Sequence, residues 1–295
     1  MRFFCASQDL RLKFKLDDEQ SVRALLAIKQ QIVYAPEVAT RGFELPPLDV
    51  RIVEVKHGLY LEYLESYNAA LRKAQSIGLA IENAGPGNQR MMYALNAALG
   101  EAIRHTCVPQ MVDHPGGIKV FDDRRLNEAA DFPLPKMEKA LELARMEVGR
   151  LGKTMVVSHF AVPLYVLEIM LRREGIRSAK LVGGQSAEKR DAVITEFLSD
   201  GPDAPQVLLV MMGCGTEGLN LLSPRLASVI FLMPYWSWPP MAQALTRVYR
   251  RGQTNPVTVH LIIAKGTIDE VRRDVAFRVS AQTNRLPRAG DHVRA

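Results

Sequence analysis

Arg247 and Arg250 stand three residues apart in the stretch Gln243-Ala244-Leu245-Thr246-Arg247-Val248-Tyr249-Arg250-Arg251-Gly252-Gln253. On a helix, residues at that spacing share a face, so the pair would present two fixed positive charges side by side, which suits a phosphate ligand. Earlier in the chain, residues 211–221 (MMGCGTEGLNL) carry Gly213, Gly215 and Gly218, which leave the backbone open to close approach by a phosphate. Each feature also has a plainer reading. Two arginines alone fit a solvated basic helix face, and a glycine-rich βα turn can bind nothing.

Read together, these elements resemble the motifs of the Swi/Snf-type DNA translocases, the chromatin-remodeller branch of superfamily-two helicases. The arginine stretch meets every fixed position of that family's Q-A-x-x-R-x-x-R-x-G-Q motif. Gly218, Asn220 and Leu221 match the G-x-N-L ending of the preceding motif, whereas Met211, Met212 and Glu217 depart from it. Trp236 lies seven residues before Gln243, where the family has W-N-P, with Ser237 and Trp238 replacing Asn and Pro. The acidic residue usual before that Trp gives way to Met233 and Pro234. Ser158-His159-Phe160 resembles the family's F-S-Q-F element, and Gly183-Gly184 with Arg190 resembles the element after it. Arg104, Cys107 and Pro109 resemble R-q-x-c-x-h-P, and Glu44-Leu45-Pro46-Pro47 resembles L-P-P-K without its lysine.

The resemblance implies an α/β fold, a RecA-like doubly wound parallel sheet (the helicase C-terminal lobe) preceded by a mostly helical region. It implies the second motor lobe of a DNA-dependent ATPase. Arg247 and Arg250 would be the catalytic residues, stabilising the charge that develops at the γ-phosphate of ATP. ATP with Mg²⁺ would meet Gly218, Asn220, Gln243, Arg247 and Arg250, and nucleic acid would meet Ser158, His159, Gly215, Thr216 and Trp236. By their own chemistry, Ser158 equally suits a helix cap, and the Trp236 ring suits either base stacking or bracing of its loop against the arginine helix.

Double-stranded DNA and a first RecA-like lobe are the implied partners. Nothing in the sequence supplies a Walker A loop or a strand-borne acidic motif for Mg²⁺. Gly152-Lys153-Thr154 imitates the end of a P-loop, yet Glu147 stands where the first glycine belongs, and the triplet precedes a strand when it should follow one. The expectation is therefore a chain incomplete for ATP hydrolysis on its own, whose first lobe lies on another polypeptide or in lost upstream sequence. The alternative is a catalytically inactive nucleic-acid-binding or protein-interaction module derived from the same lobe. That alternative rests on the basic surface, including Arg272, Arg273, Arg278, Arg285, Arg288 and Arg294.

Positioning such residues requires a scaffold, and from about Lys136 onward helical and strand patterns alternate as in a parallel sheet with covering helices. The expected strands are Thr154 to Ser158, Ala179 to Val182, Gln206 to Met212, Ser228 to Leu232 and Val257 to Ile263, with the arginine motif on the helix between the last two. Gly152 is expected to end one helix and Ser186 to cap another. Before that, Val50 to Val55 reads as a strand and Tyr60 to Ala74 as a helix. These patterns divide the chain into a mostly helical region over 1–130, a RecA-like domain over 131–280 and a basic tail over 281–295.

Composition sets the outer bounds. Hydrophobic residues make up 47% and charged residues 24% of 295, the balance of an ordinary globular chain, and the net charge of +6 favours a polyanionic partner without proving one. The three cysteines, Cys5, Cys107 and Cys214, are too scattered for a disulfide framework, which points to a reducing compartment, and the family resemblance implies an intracellular setting: a nucleus, a bacterial cytoplasm or a viral factory. No apolar run is long enough for a membrane span and no secretory signal is evident. His105, Cys107, Asp113 and His114 fit no zinc spacing, so no metal site is expected from them.

Overall fold

Runs of apolar residues too short for helices make six strands, β1 (Leu48–Val55), β2 (Lys153–Ser158), β3 (Ser178–Leu181), β4 (Val207–Met211), β5 (Leu226–Phe231) and β6 (Val257–Ala264). They form one parallel sheet in the order β1-β6-β5-β2-β4-β3. These elements come from a computed structural model that describes residues 45–56, 61–84, 89–109, 122–213, 220–236 and 238–282. β2, β5 and β6 are buried along their whole length, as expected for parallel strands covered on both faces.

The helices are α1 (Leu61–Ala84), α2 (Gln89–His105), α3 (Asp123–Ala130), α4 (Pro135–Leu151), α5 (Ala161–Arg173), α6 (Ala187–Leu198), α7 (Trp238–Leu245) and α8 (Ile268–Gln282). One core lies between the sheet and α4 and α5, where Met137, Ala140, Leu143, Leu164 and Leu167 meet Val156, Leu209, Ile230 and Ile262. A second core covers the other face, where Phe197 of α6 and Trp238, Met241 and Leu245 of α7 meet Met155, Leu208, Val229 and Leu261. Alternate residues along β2, β4, β5 and β6 feed opposite cores, which is the doubly wound arrangement expected from the sequence.

Local chemistry explains where the elements stop. Gly152 caps α4 at φ 95°, and a Cβ there would sit 2.6 Å from the Arg225 guanidinium, so both conformation and space call for glycine. Ser186 caps α6 by accepting from the Lys189 N–H. Buried Lys136 of α4 is paired with Asp269 of α8 and also donates to Thr106, tying the ends of α2, α4 and α8 together.

Two differences from the sequence reading matter for the site. β1, from the segment read as mostly helical, pairs with β6 from Leu48↔Val257 to Val55↔Ala264, so the sheet extends across the expected boundary near residue 130. Its neighbour Pro47 accepts from the Val257 N–H at 2.9 Å. Second, the arginine motif is not one continuous helix. α7 ends at Leu245, and the chain continues in tight turns with Arg247 N–H to Ala244 and Val248 N–H to Leu245. Val248 stays on the buried face of Met241, Ala244 and Leu245, and Gln253 reaches back to the sheet. The basic tail over 281–295 lies outside the described residues except for its first two positions.

Candidate functional site

The turns after α7 set the two arginines on the outside while anchoring the backbone beneath them. Val248 is fully buried, Arg247 half-buried and Arg250 exposed. Arg250 Nη1 donates to Asn220 Oδ1 at 3.1 Å, joining the arginine motif to the G-x-N-L loop. Gln243, one turn earlier on α7, is exposed.

Gln253 closes the motif from below. Its amide nitrogen donates to the carbonyl of Leu226 at 2.9 Å and, more weakly, to that of Ser223 at 3.4 Å. Its Oε1 accepts from the N–H groups of Thr254 and Asn255, each at 3.0 Å. This buried residue therefore holds the 220–226 segment against the chain entering β6. Gly252, at φ 99°, allows the reversal, and a Cβ there would stand 2.8 Å from Leu222. Of the residues expected at the nucleotide, Asn220, Arg247 and Arg250 are thus brought onto adjoining turns, with Gln243 on the helix before them. Gly218, Gly215 and Thr216 lie outside the described residues.

A second group gathers at the C-terminal ends of the strands, where parallel α/β sheets place their ligands. Ser158 ends β2 buried. Its hydroxyl accepts from the Phe160 N–H and donates to the Phe160 carbonyl, a local turn and not the helix cap it equally suited, since the N-cap of α5 is Phe160 with no side-chain cap bond. Next to it, the His159 ring meets Phe160 edge-on at 4.5 Å and Tyr235 at 4.9 Å. Burial, reinforced by the charges of Arg272 and Arg104, pushes the imidazole pKa down to about 4, and its Nδ1 is buried with no hydrogen-bond partner.

Trp236, half-buried, packs against the core under α4 and α5, and the Arg272 guanidinium of α8 lies 5.0 Å from its ring centre. Arg272 of α8 thus packs on the ring of Trp236. Arg272 itself had been read as basic surface. It is instead 0% exposed, stacked also over Tyr235 at 5.9 Å, with Nε and Nη1 unbonded. Burial lowers its pKa to about 10, against the opposing pull of Asp269. Arg104 of α2 adds a second guanidinium, 4.8 Å over the Phe160 ring, whose Nε is also buried without a partner. Sequence reasoning missed the burial of Arg272, although its place four residues from both Ile268 and Ala276, on the buried stripe of α8, marks an inward position.

The P-loop imitation does not behave as one. Lys153 is buried and donates to the backbone carbonyls of Phe197 and, at 2.7 Å, Ser199. His105 and Cys107 are buried apart from any ligand set, the His105 ring bonding the Glu101 carbonyl at 2.9 Å, while burial pushes the Cys107 thiol pKa up. Asp113 and His114 lie outside the described residues. Among the described residues, no group of three His, Cys, Asp or Glu side chains could hold a metal ion, and no helix is long and apolar enough to cross a membrane.

The model of the helicase conserved C-terminal domain matches residues 135–252. The DNA repair protein RAD5 of Yarrowia lipolytica is 33% identical over 150 residues, 50% of this chain and 14% of that protein. RAD5A of Arabidopsis thaliana is 35% identical over 128 residues, 43% of this chain and 12% of its own length. The chain thus spans about one seventh of the curated relatives it matches. Among solved structures, the C-terminal part of the Fun30 ATPase domain superposes with a TM-score of 0.59 at 18% identity, covering 79% of this chain and 90% of that one. The Sulfolobus solfataricus SWI2/SNF2 ATPase core in complex with dsDNA superposes with a TM-score of 0.55 at 21% identity, covering 80% and 46%.

Proposed function

Because residues 135–252 match the model of the helicase conserved C-terminal domain, we propose that the chain acts as the second motor lobe of a Swi/Snf-type DNA-dependent ATPase. The observation that carries this reading is the Arg250–Asn220 contact of 3.1 Å, which sets the arginine motif and the G-x-N-L loop side by side. Two guanidinium groups presented from turns pinned by Val248 and Gln253 suit the charge that builds on a transferring phosphoryl group.

ATP with Mg²⁺ would then be shared with a lobe carrying a P-loop, which these 295 residues do not contain. Phosphoryl transfer depends on held phosphates and Mg²⁺ as well as on arginines, so this chain alone hydrolyses no ATP. In this role Arg247 and Arg250 meet the nucleotide, and the His159–Trp236 region meets duplex DNA inside the cell. Mixing the chain with a P-loop lobe should produce ATP hydrolysis that duplex DNA stimulates and that Arg250→Ala abolishes. Unchanged turnover in that variant contradicts the reading.

A second reading, a nucleic-acid-binding module without ATPase activity, is favoured by one observation, the cluster of Arg104, His159 and Arg272 at the strand ends. It predicts duplex binding by the isolated chain together with no turnover in any mixture.

A further inference from the structure

Arg104, His159 and Arg272 come from three separate elements, α2, the end of β2 and α8, and converge on one set of aromatic rings. The contacts run without a gap from the Arg104 guanidinium over Phe160, through the Phe160–His159 and His159–Tyr235 ring pairs, to Arg272 lying between Tyr235 and Trp236. Each of the three polar side chains keeps a buried nitrogen without a hydrogen-bond partner, namely Arg104 Nε, His159 Nδ1, and Nε and Nη1 of Arg272. Arg272 is the extreme case, since it is 0% exposed.

A buried guanidinium with idle donors is costly, and like charges brought together add to the cost. The carboxylate that most affects Arg272 is Asp269, one helical turn away, but its Oδ2 is already engaged by Lys136 and by the Ala264 N–H at 3.1 Å. Its other oxygen, Oδ1, makes no hydrogen bond either, to Arg272 or to any other group. Glu101 is the acidic group that acts on Arg104, and it makes no ion pair with it. An anion with several acceptor oxygens, entering among the three donors, relieves both the repulsion and the missing bonds.

We propose that Arg104, His159 and Arg272 form an anion subsite that takes one phosphate of a nucleic-acid backbone, with the Trp236 ring as its cover. The net charge of +6 favours a polyanion such as a nucleic-acid backbone over a single peptide carboxylate. Trp236 is part-exposed and lies over the otherwise enclosed Arg272, so displacement of its ring opens the subsite. This proposal rests on the reading that the chain acts on DNA, and it adds residues from α2 and α8 to the expected contacts.

The test is a salt titration of duplex DNA binding by the full chain and by Arg272→Met and Arg104→Met. Each substitution should weaken binding about tenfold at low salt and flatten the slope of log affinity against log salt by roughly one, the signature of one lost phosphate contact. Arg104 is part-exposed, so its variant keeps the proposal testable if Arg272→Met fails to fold. A parallel NMR titration should show the His159 imidazole pKa rising when duplex binds the unsubstituted chain. Inorganic phosphate should compete only at far higher concentration than the duplex. Unchanged affinity and slope in Arg104→Met, no duplex binding by the unsubstituted chain, or inorganic phosphate competing as well as duplex would each overturn the subsite. The motor reading fails on turnover in Arg250→Ala, whereas this subsite fails on the salt slope, so the two failures are distinct.

Discussion

The two ends of the sheet treat their cations in opposite ways. At the N-terminal edge, Lys153 is buried against the carbonyls of Phe197 and Ser199, Arg177 is bonded to the carbonyl of Pro202, and Arg225 is paired with Asp200 at 3.1 Å. Burial, with Arg225 nearby, pushes the Lys153 pKa down, yet its ammonium group still has oxygen partners. At the C-terminal end, buried Arg272 and part-exposed Arg104 each keep a buried idle donor, beside a His159 held neutral by burial and then by their charges. A cation supplied with backbone carbonyls is part of the scaffold. One left without acceptors is consistent with an acceptor that arrives from outside, and the ends of parallel strands are where such ligands bind.

The sharpest way to break that contrast is to remove a cation that has a partner. Lys136→Met strips the buried Asp269 of its ion pair and should cost about 3–5 kcal/mol in urea denaturation, because an uncompensated buried charge remains. Lys153→Met should cost less, about 1–3 kcal/mol, since it leaves two carbonyls unsatisfied and no charge behind. Arg272→Met should leave stability unchanged or raised, because it removes an unpaired charge and keeps the apolar stem. A loss as large as that of Lys153→Met would show that Arg272 belongs to the scaffold after all.

A further expected effect is the pH dependence of His159. Its folded pKa of about 4 lies below the ordinary 6.5, so between those values the unfolded chain binds more protons than the folded one. The stability this neutral imidazole contributes is fully present above pH 6.5 and is lost as pH falls towards 4. Arg272→Met removes one of the two repelling charges, so NMR should find the His159 pKa higher in that variant. An unmoved value would mean that the two groups do not converge.

The βα alternation from Lys136 onward was legible because buried strands, Gly152 and Ser186 each obey local rules that tertiary contacts did not override. The sheet's sixth member, β1, showed as a strand in the sequence, but its pairing with β6 is a long-range contact that no local pattern encodes. The end of α7 at Leu245 was hidden for a related reason. Nothing in Thr246-Arg247-Val248-Tyr249 forbids a helix, and the anchoring of Gln253 on the Leu226 carbonyl beyond it is a long-range contact. At the site, the arginine motif and the G-x-N-L loop were readable from types and spacing. The Arg272 subsite was not, because an arginine in a basic C-terminal stretch reads as solvated until the face of its helix is known.

The most direct test of the whole account is the rate of ATP hydrolysis by the chain mixed with a P-loop lobe, measured as duplex DNA is titrated in. The account predicts that Arg250→Ala lowers the maximal rate by about 10³ or more, the usual scale for a lost arginine finger, while half-saturating DNA stays where it is. Arg272→Met should raise the half-saturating DNA concentration about tenfold, as expected for one lost phosphate contact. A maximal rate for Arg250→Ala equal to that of the unsubstituted chain would contradict the assignment of this lobe to the motor.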